Sequence, residues 1–140
     1  MIQRLLRHRA TVLVCQTAVA LVFLVAALAK IGDNAGFAGQ IHHYRLVPFG
    51  LENLLAITLP WIEMVAALAI LLRSRAQAGA VVAAGLMVLF VVVVGSAVVR
   101  GLDIECGCFG TADAARVGAA KLAQNLGLLA VAVVGSLRPR

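Results

Sequence analysis

Charge is scarce in this 140-residue chain: 13% of its residues are charged, against about 25% in an ordinary soluble domain. Acids are scarcer than bases, six against twelve, and aromatic residues make up only 5%. The basic residues form no single stripe and have no aromatics interleaved for base stacking, which argues against nucleic acid as the partner of this basic chain. Low-complexity tracts, internal repeats and a composition break marking a second domain are also missing, so residues 1–140 read as one domain. What is abundant is apolar surface. Hydrophobic residues reach 63% and the mean hydropathy is +1.03. A water-soluble chain of this size has no means of hiding so much, which leaves the lipid bilayer as its solvent.

A hydrocarbon core about 30 Å thick takes roughly 20 helical residues. Four stretches qualify: Thr11 to about Ala29 with Lys30 at its end, about Asn53 to Leu72, about Ala76 to Val99, and about Gly118 to Leu137. Their valine content suits strands in water, but a segment crossing lipid must satisfy its own backbone, so these are helices. The expected fold is all-α, a polytopic four-transmembrane-helix bundle. Arg4, Arg7 and Arg9 followed by Ala27-Leu28-Ala29 imitate a signal peptide. The apolar run of about 19 residues exceeds the 7–15 of a signal core, so it is expected to stay as an anchor.

Positive charge predicts orientation. The N-terminus, the Arg73-Ser74-Arg75 turn and the C-terminus carry seven cations (Arg4, Arg7, Arg9, Arg73, Arg75, Arg138 and Arg140) and no acid. The opposite side balances Lys30, Arg45, Arg100, Arg116 and Lys121 against Asp33, Glu52, Asp103, Glu105 and Asp113. Both termini are therefore expected to be cytoplasmic, in an inner (plasma) membrane. Loops near 31–52 and 100–117 should face the periplasm or cell exterior. The short inner turn makes spans two and three antiparallel neighbours, and Gly79, Ala83, Ala84 and Gly85 permit close helix contact. In the first outer loop Asp33 or Asn34 can cap a short helix. Phe37, Ile41 and Tyr44 share one face of it, an arrangement suited to the membrane surface, and Pro48 is expected to end it. Gly36 and Gly39 weaken this helix.

Cys106 and Cys108 form a C-x-C pair in the second outer loop, on the side of the membrane where disulfides persist. Residues two apart in extended chain lie roughly 5.5–7 Å apart at Cα, at the upper end of what a disulfide accepts. Gly107 relaxes the backbone between them. Such a bond is labile and oxidising, and a ring this small contributes little to stability. Redox activity, an inert bridge and metal binding all remain open on these grounds. A structural zinc needs four ligands. The two cysteines supply two, and adjacent His42 and His43 point apart on a helix, so no metal ligand set is assigned. A soft ion held by two thiolates is the alternative. Cys15, near the inner end of span one, reads as a small hydrophobe.

Glu63 is the single acid within a span. Intramembrane ionisable groups face the bundle interior and mark function by default; a neutral Glu63 bonded to a neighbouring helix is the plain alternative. Pro60 frees the carbonyl of Ala56 and can kink the helix. Lys30 is the natural cation for Glu63, although nominal depths leave a gap. Arg100 is the alternative and can equally snorkel to the surface. Trp61 suits an interface anchor or a pocket wall.

These features in order resemble the MauE family of methylamine-utilisation proteins, within the wider DoxX-like membrane proteins. The resemblance rests on Lys30 ending the first helix, Tyr44 and Pro48 in the outer loop, and Pro60 with Glu63 in the second helix. Arg100-Gly101 and Cys106-Gly107-Cys108-Phe109-Gly110 follow, the last being the specific motif. The resemblance implies a four-helix membrane protein linked to thiol–disulfide chemistry, in the family's case maturation of the disulfide-rich small subunit of methylamine dehydrogenase. It implies Cys106 and Cys108 as the redox pair, and Lys30 and Glu63 as the membrane site with Arg100 nearby. Tyr44, Pro60 and Trp61 are candidate pocket residues. The candidate activity is thiol–disulfide oxidoreductase, with an extracytoplasmic thiol client or a thioredoxin-like partner. A quinone near Glu63 and Trp61 is the candidate electron acceptor, by architectural analogy alone. A non-catalytic scaffold for an oxidoreductase complex and a small soft-metal carrier are the competing functions.

Overall fold

The computed structural model describes residues 1–108 and 116–138. Phe109, Gly110, Asp113 and Arg140, used above, lie outside the described residues. The chain forms α1 (Ile2–Leu6), α2 (Arg9–Gly32), α3 (Asn34–His43), α4 (Leu51–Leu71), α5 (Ala76–Val99) and α6 (Ala119–Ser136). Four of these, α2, α4, α5 and α6, are long and apolar enough to cross a membrane, with mean hydropathies of 2.6, 2.2, 2.8 and 1.4. Their bounds fall within about two residues of those read from hydropathy. Among the described residues the β-structure amounts to one isolated bridge between Glu105 and Arg116.

The spans close into a ring in the order α2, α4, α5, α6, with α2 and α5 on the diagonal. Small side chains set the spacing. Ala20, Ala67 and Ala83 have no exposed surface, and they meet Val19, Phe23, Ile70, Met87 and Ala132 in the core. At Gly79 an added Cβ would lie 2.7 Å from the carbonyl oxygen of Ala66, so α5 approaches α4 at backbone contact. Large apolar side chains point the other way: Val14, Leu21, Val25, Ile57, Val65, Val88 and Val92 are all exposed. A water-soluble fold would invert this distribution; hydrocarbon around the bundle accounts for it.

The two ends of the ring differ. At one end Gln16 Nε2 donates to the Gly135 carbonyl (2.9 Å), and Arg73 donates to Gln16 Oε1 (2.7 Å) and Thr17 Oγ1 (3.1 Å). Gln77 donates to the Ser136 carbonyl beside them. This end carries α1, the α4–α5 turn and the end of α6. At the other end Asp33 closes α2 and caps α3, its Oδ1 accepting from the Gly36 N–H at 3.0 Å. The α3 helix packs on α4 and buries Phe37 and Ala38 against Ala56. It stops at His43, before Pro48 is reached. Arg45 takes a positive φ of 53°, and the chain then turns into α4 at Gly50, whose φ is 97°. The α4 helix runs unbroken through Pro60, which is fully buried.

Candidate functional site

A helix tilts its Cα–Cβ bonds toward its own N-terminus. The α2 and α4 helices are antiparallel, so Lys30 near the end of α2 leans into the bundle while Glu63 in α4 leans out toward it. This closes the depth gap that residue counting leaves between them. Lys30 Nζ lies 2.7 Å from Glu63 Oε1, and neither side chain has exposed surface. The ammonium also stands over the Phe37 and Phe90 rings, 5.2 and 4.9 Å from their centroids, where the negative ring faces attract it. Glu63 Oε2 is buried and has no hydrogen-bond partner among the described residues. Arg100 is not the partner of Glu63. Its guanidinium donates to the Tyr44 carbonyl at 2.5 Å and reaches Ser96, tying the end of α5 to the end of α3.

The cysteine loop lies over this pair. Gly107 has a φ of 73°, and an added Cβ would sit 3.0 Å from Gln40 Oε1, so both conformation and space call for glycine between the cysteines. Tyr44 Oη donates to the Cys106 carbonyl at 2.5 Å, and Gln40 Nε2 donates to Glu105 at 3.1 Å. The α3 helix therefore holds the loop through two side chains of its own. Both cysteines are free thiols, Cys106 buried and Cys108 partly exposed. A hydrogen bond joins the two sulfur groups. That bond brings the Cys106 thiol down to about 6 against the resistance of burial, helped by the Cys108 backbone N–H, the Lys121 ammonium and Tyr44. The same bond, with burial, pushes Cys108 up, while Asn125 and Lys30 pull weakly the other way. Burial and the neighbouring thiols push the Tyr44 hydroxyl up as well. The reduced pair thus holds one proton between two sulfurs at neutral pH, with the thiolate character on Cys106.

Cys106, Gly107 and Cys108 wall an apolar cavity of about 310 Å³ shared with Phe37, Tyr44 and Phe90. On the other side of Phe90, a cavity of about 20 Å³ is lined by Cys108, Asn125 and Glu63. The structure thus gathers Cys106, Cys108, Lys30, Glu63 and Tyr44 at one end of the bundle, with Arg100 bracing its rim. Pro60 is buried in α4 and lines neither cavity. Trp61 is 55% exposed. Two residues of helix turn by about 200°, so Trp61 and Glu63 occupy opposite faces of α4, and neither cavity beside the thiols is lined by both. Trp61 borders a shallow groove with Val65 and Gly79 instead. His42 pairs with Glu52 at 3.3 Å, and the described residues hold no group of three or more metal-ligating side chains. Cys15 lies one residue from Gln16, at the opposite end.

Sequence reasoning passed over Asn125, Gln40, Lys121 as a neighbour of the thiols, and the two phenylalanines of the ammonium cage. Asn125 carried a usable signal. It is a polar residue inside an apolar span, 2% exposed, and its Nδ2 donates to Cys108 Sγ at 3.6 Å. Buried polar groups in spans face partners.

Four apolar spans with a buried ion pair and a thiol pair at one end define a multi-pass membrane protein. The family described as methylamine utilisation protein MauE matches residues 8–138, and the chain belongs to that family. It is 40% identical over 91 residues to the methylamine utilization protein MauE of Methylophilus methylotrophus, covering 64% of this chain and 48% of that protein. It is 34% identical over 91 residues to the Paracoccus denitrificans protein of the same name (64% and 49%). With the Paracoccus versutus protein it shares 29% identity over 115 residues (81% and 62%). The chain spans about half the length of the first two relatives. No solved structure matches it.

Proposed function

We propose that this protein is a membrane thiol–disulfide exchange factor of methylamine utilisation, working through Cys106 and Cys108 on an extracytoplasmic client or a thioredoxin-like partner. The observation that carries the reading is the hydrogen-bonded thiol pair, with Cys106 held near pKa 6 and Cys108 partly exposed. A low-pKa thiol is a good leaving group. A client thiolate attacks Cys108 of the oxidised pair, the Cys106–Cys108 bond breaks, and Cys106 leaves as thiolate. The client's second thiolate then attacks the client sulfur of the mixed disulfide, and Cys108 leaves. Two electrons pass from client to protein, and the client gains one disulfide. The names of the relatives support the methylamine context.

The basic bias of the end that carries α1 and Arg73 supports cytoplasmic termini in the plasma membrane, with the cysteine loop outside. Cys106→Ser is expected to trap a mixed disulfide at Cys108 in cells, and Cys108→Ser to trap none. Normal client maturation by the double serine variant would instead establish a scaffold. A midpoint potential well below about −300 mV marks an inert bridge and argues against exchange. Impermeant thiol labelling of intact cells tests the orientation: Cys108 is expected to label and Cys15 is not.

A further inference from the structure

The exchange chemistry leaves the buried ion pair without a task and leaves Cys108, the more exposed residue of the pair, with a proton to lose. Glu63 Oε2 has no protein partner among the described residues and lies fully buried, and Glu63 lines the small cavity that Cys108 and Asn125 also line. Its volume of about 20 Å³ suits one water, which needs roughly 10–15 Å³ and two to four polar neighbours. Three polar side chains are among its lining residues: Glu63, Cys108 and Asn125.

We propose that Glu63 is the general base for Cys108, acting through a single water held in this cavity. The Cys108 S–H bond breaks with its electron pair left on sulfur. Its proton passes to the water, and the water's own proton passes to Glu63 Oε2. Lys30 then faces a thiolate and a neutral acid in place of a thiol and a carboxylate, so the cluster keeps one cation and one anion throughout. The Cys108 thiolate attacks a partner disulfide and expels one thiolate, and Cys106 then attacks Cys108 to expel the other. Two electrons leave the pair, and its one proton, that of Cys108, leaves by way of Glu63. Among the described residues, the titratable and charged groups around Cys108 are Lys30 from α2, Tyr44 at the end of α3, Glu63 from α4 and Lys121 from α6, with Cys106 and Glu105 in its own loop. Of these, Glu63 lines the same small cavity as Cys108.

The inference rests on the exchange reading, and one experiment separates the two. A Cys15→Ala/Cys106→Ser parent in nanodiscs leaves Cys108 as the sole thiol. Its reaction rate with an uncharged aromatic disulfide is followed against pH. A thiol whose proton goes to an internal base reacts at a rate independent of pH across roughly pH 6 to 8, whereas an unassisted thiol gains about tenfold per unit. The parent is expected to show the plateau, and Glu63→Gln to show the tenfold slope. Asn125→Leu fills the cavity while leaving Lys30 and Glu63 paired, so it decides the matter even if Glu63→Gln does not fold; it too is expected to show the slope. A sloping parent, or a plateau that survives in Asn125→Leu, overturns the role of Glu63 and leaves exchange intact. A parent in which Cys108 does not react with the disulfide at any pH takes both readings down.

Discussion

Each end of the bundle carries a buried or half-buried polar cluster, and the two are built differently. At the end with α1, Gln16 gives its amide to the Gly135 carbonyl and receives Arg73, and Arg73 continues to Thr17. The charge there sits at the rim, since Arg73 is exposed. At the other end a full ion pair is buried with one carboxylate oxygen unpartnered, beneath two thiols and two cavities. The first cluster is what a helix bundle needs to lock its register in lipid. The second costs desolvation free energy that a purely structural site avoids, because a buried ion pair is a poor route to stability compared with apolar packing. The exchange proposal puts the chemistry at this costlier end.

The sharpest way to break that contrast is to remove one charge. Lys30→Met leaves a carboxylate buried without its cation and is expected to cost about 3–5 kcal/mol, read as a lowered unfolding midpoint in mixed micelles. Lys30→Met/Glu63→Leu should regain most of it while remaining defective in exchange. If the double variant exchanges thiols normally, the pair is structural and the two ends are alike.

A smaller effect is expected at the thiols. Thiolate absorbance of the reduced protein should titrate near pH 6, with Cys106 ionised above and protonated below. Cys108→Ala removes the donor and should move the midpoint up toward the ordinary value of about 8.5. An unmoved midpoint would mean that Lys121, and not the neighbouring sulfur, holds the charge.

At the structural end, Gln16→Leu breaks two hydrogen bonds and leaves the Gly135 carbonyl unpaired. The expected cost is about 1–3 kcal/mol, with thiol titration and exchange unchanged. Arg73→Met should be nearest to silent, within about 1 kcal/mol, as exposed charge contacts are. An exchange defect in either variant would show that the ends communicate.

Most of the architecture was legible because lipid imposes length, hydropathy and intrahelical bonding together. The four spans, the capped α3 and the close approach at Gly79 all follow from that. The site was legible where chemistry is rare in its surroundings: one acid within a span, one C-x-C. Its assembly was less so. Counting residues along α2 and α4 leaves Lys30 and Glu63 at different depths, and only the opposed tilt of their Cβ atoms joins them. Asn125 was missed because a single amide in a long apolar run lowers mean hydropathy too little to stand out. Trp61 was grouped with Glu63 by proximity in sequence, whereas helical periodicity places it on the opposite face.

The larger cavity beside the sulfurs has almost no polar lining, and this bears on which reagents reach them. Phe37, Ile41 and Leu59 line it with the cysteines, so an oil-soluble oxidant or alkylating agent is expected to enter this cavity more readily than a charged one, while the exposed part of Cys108 stays open to reagents from water.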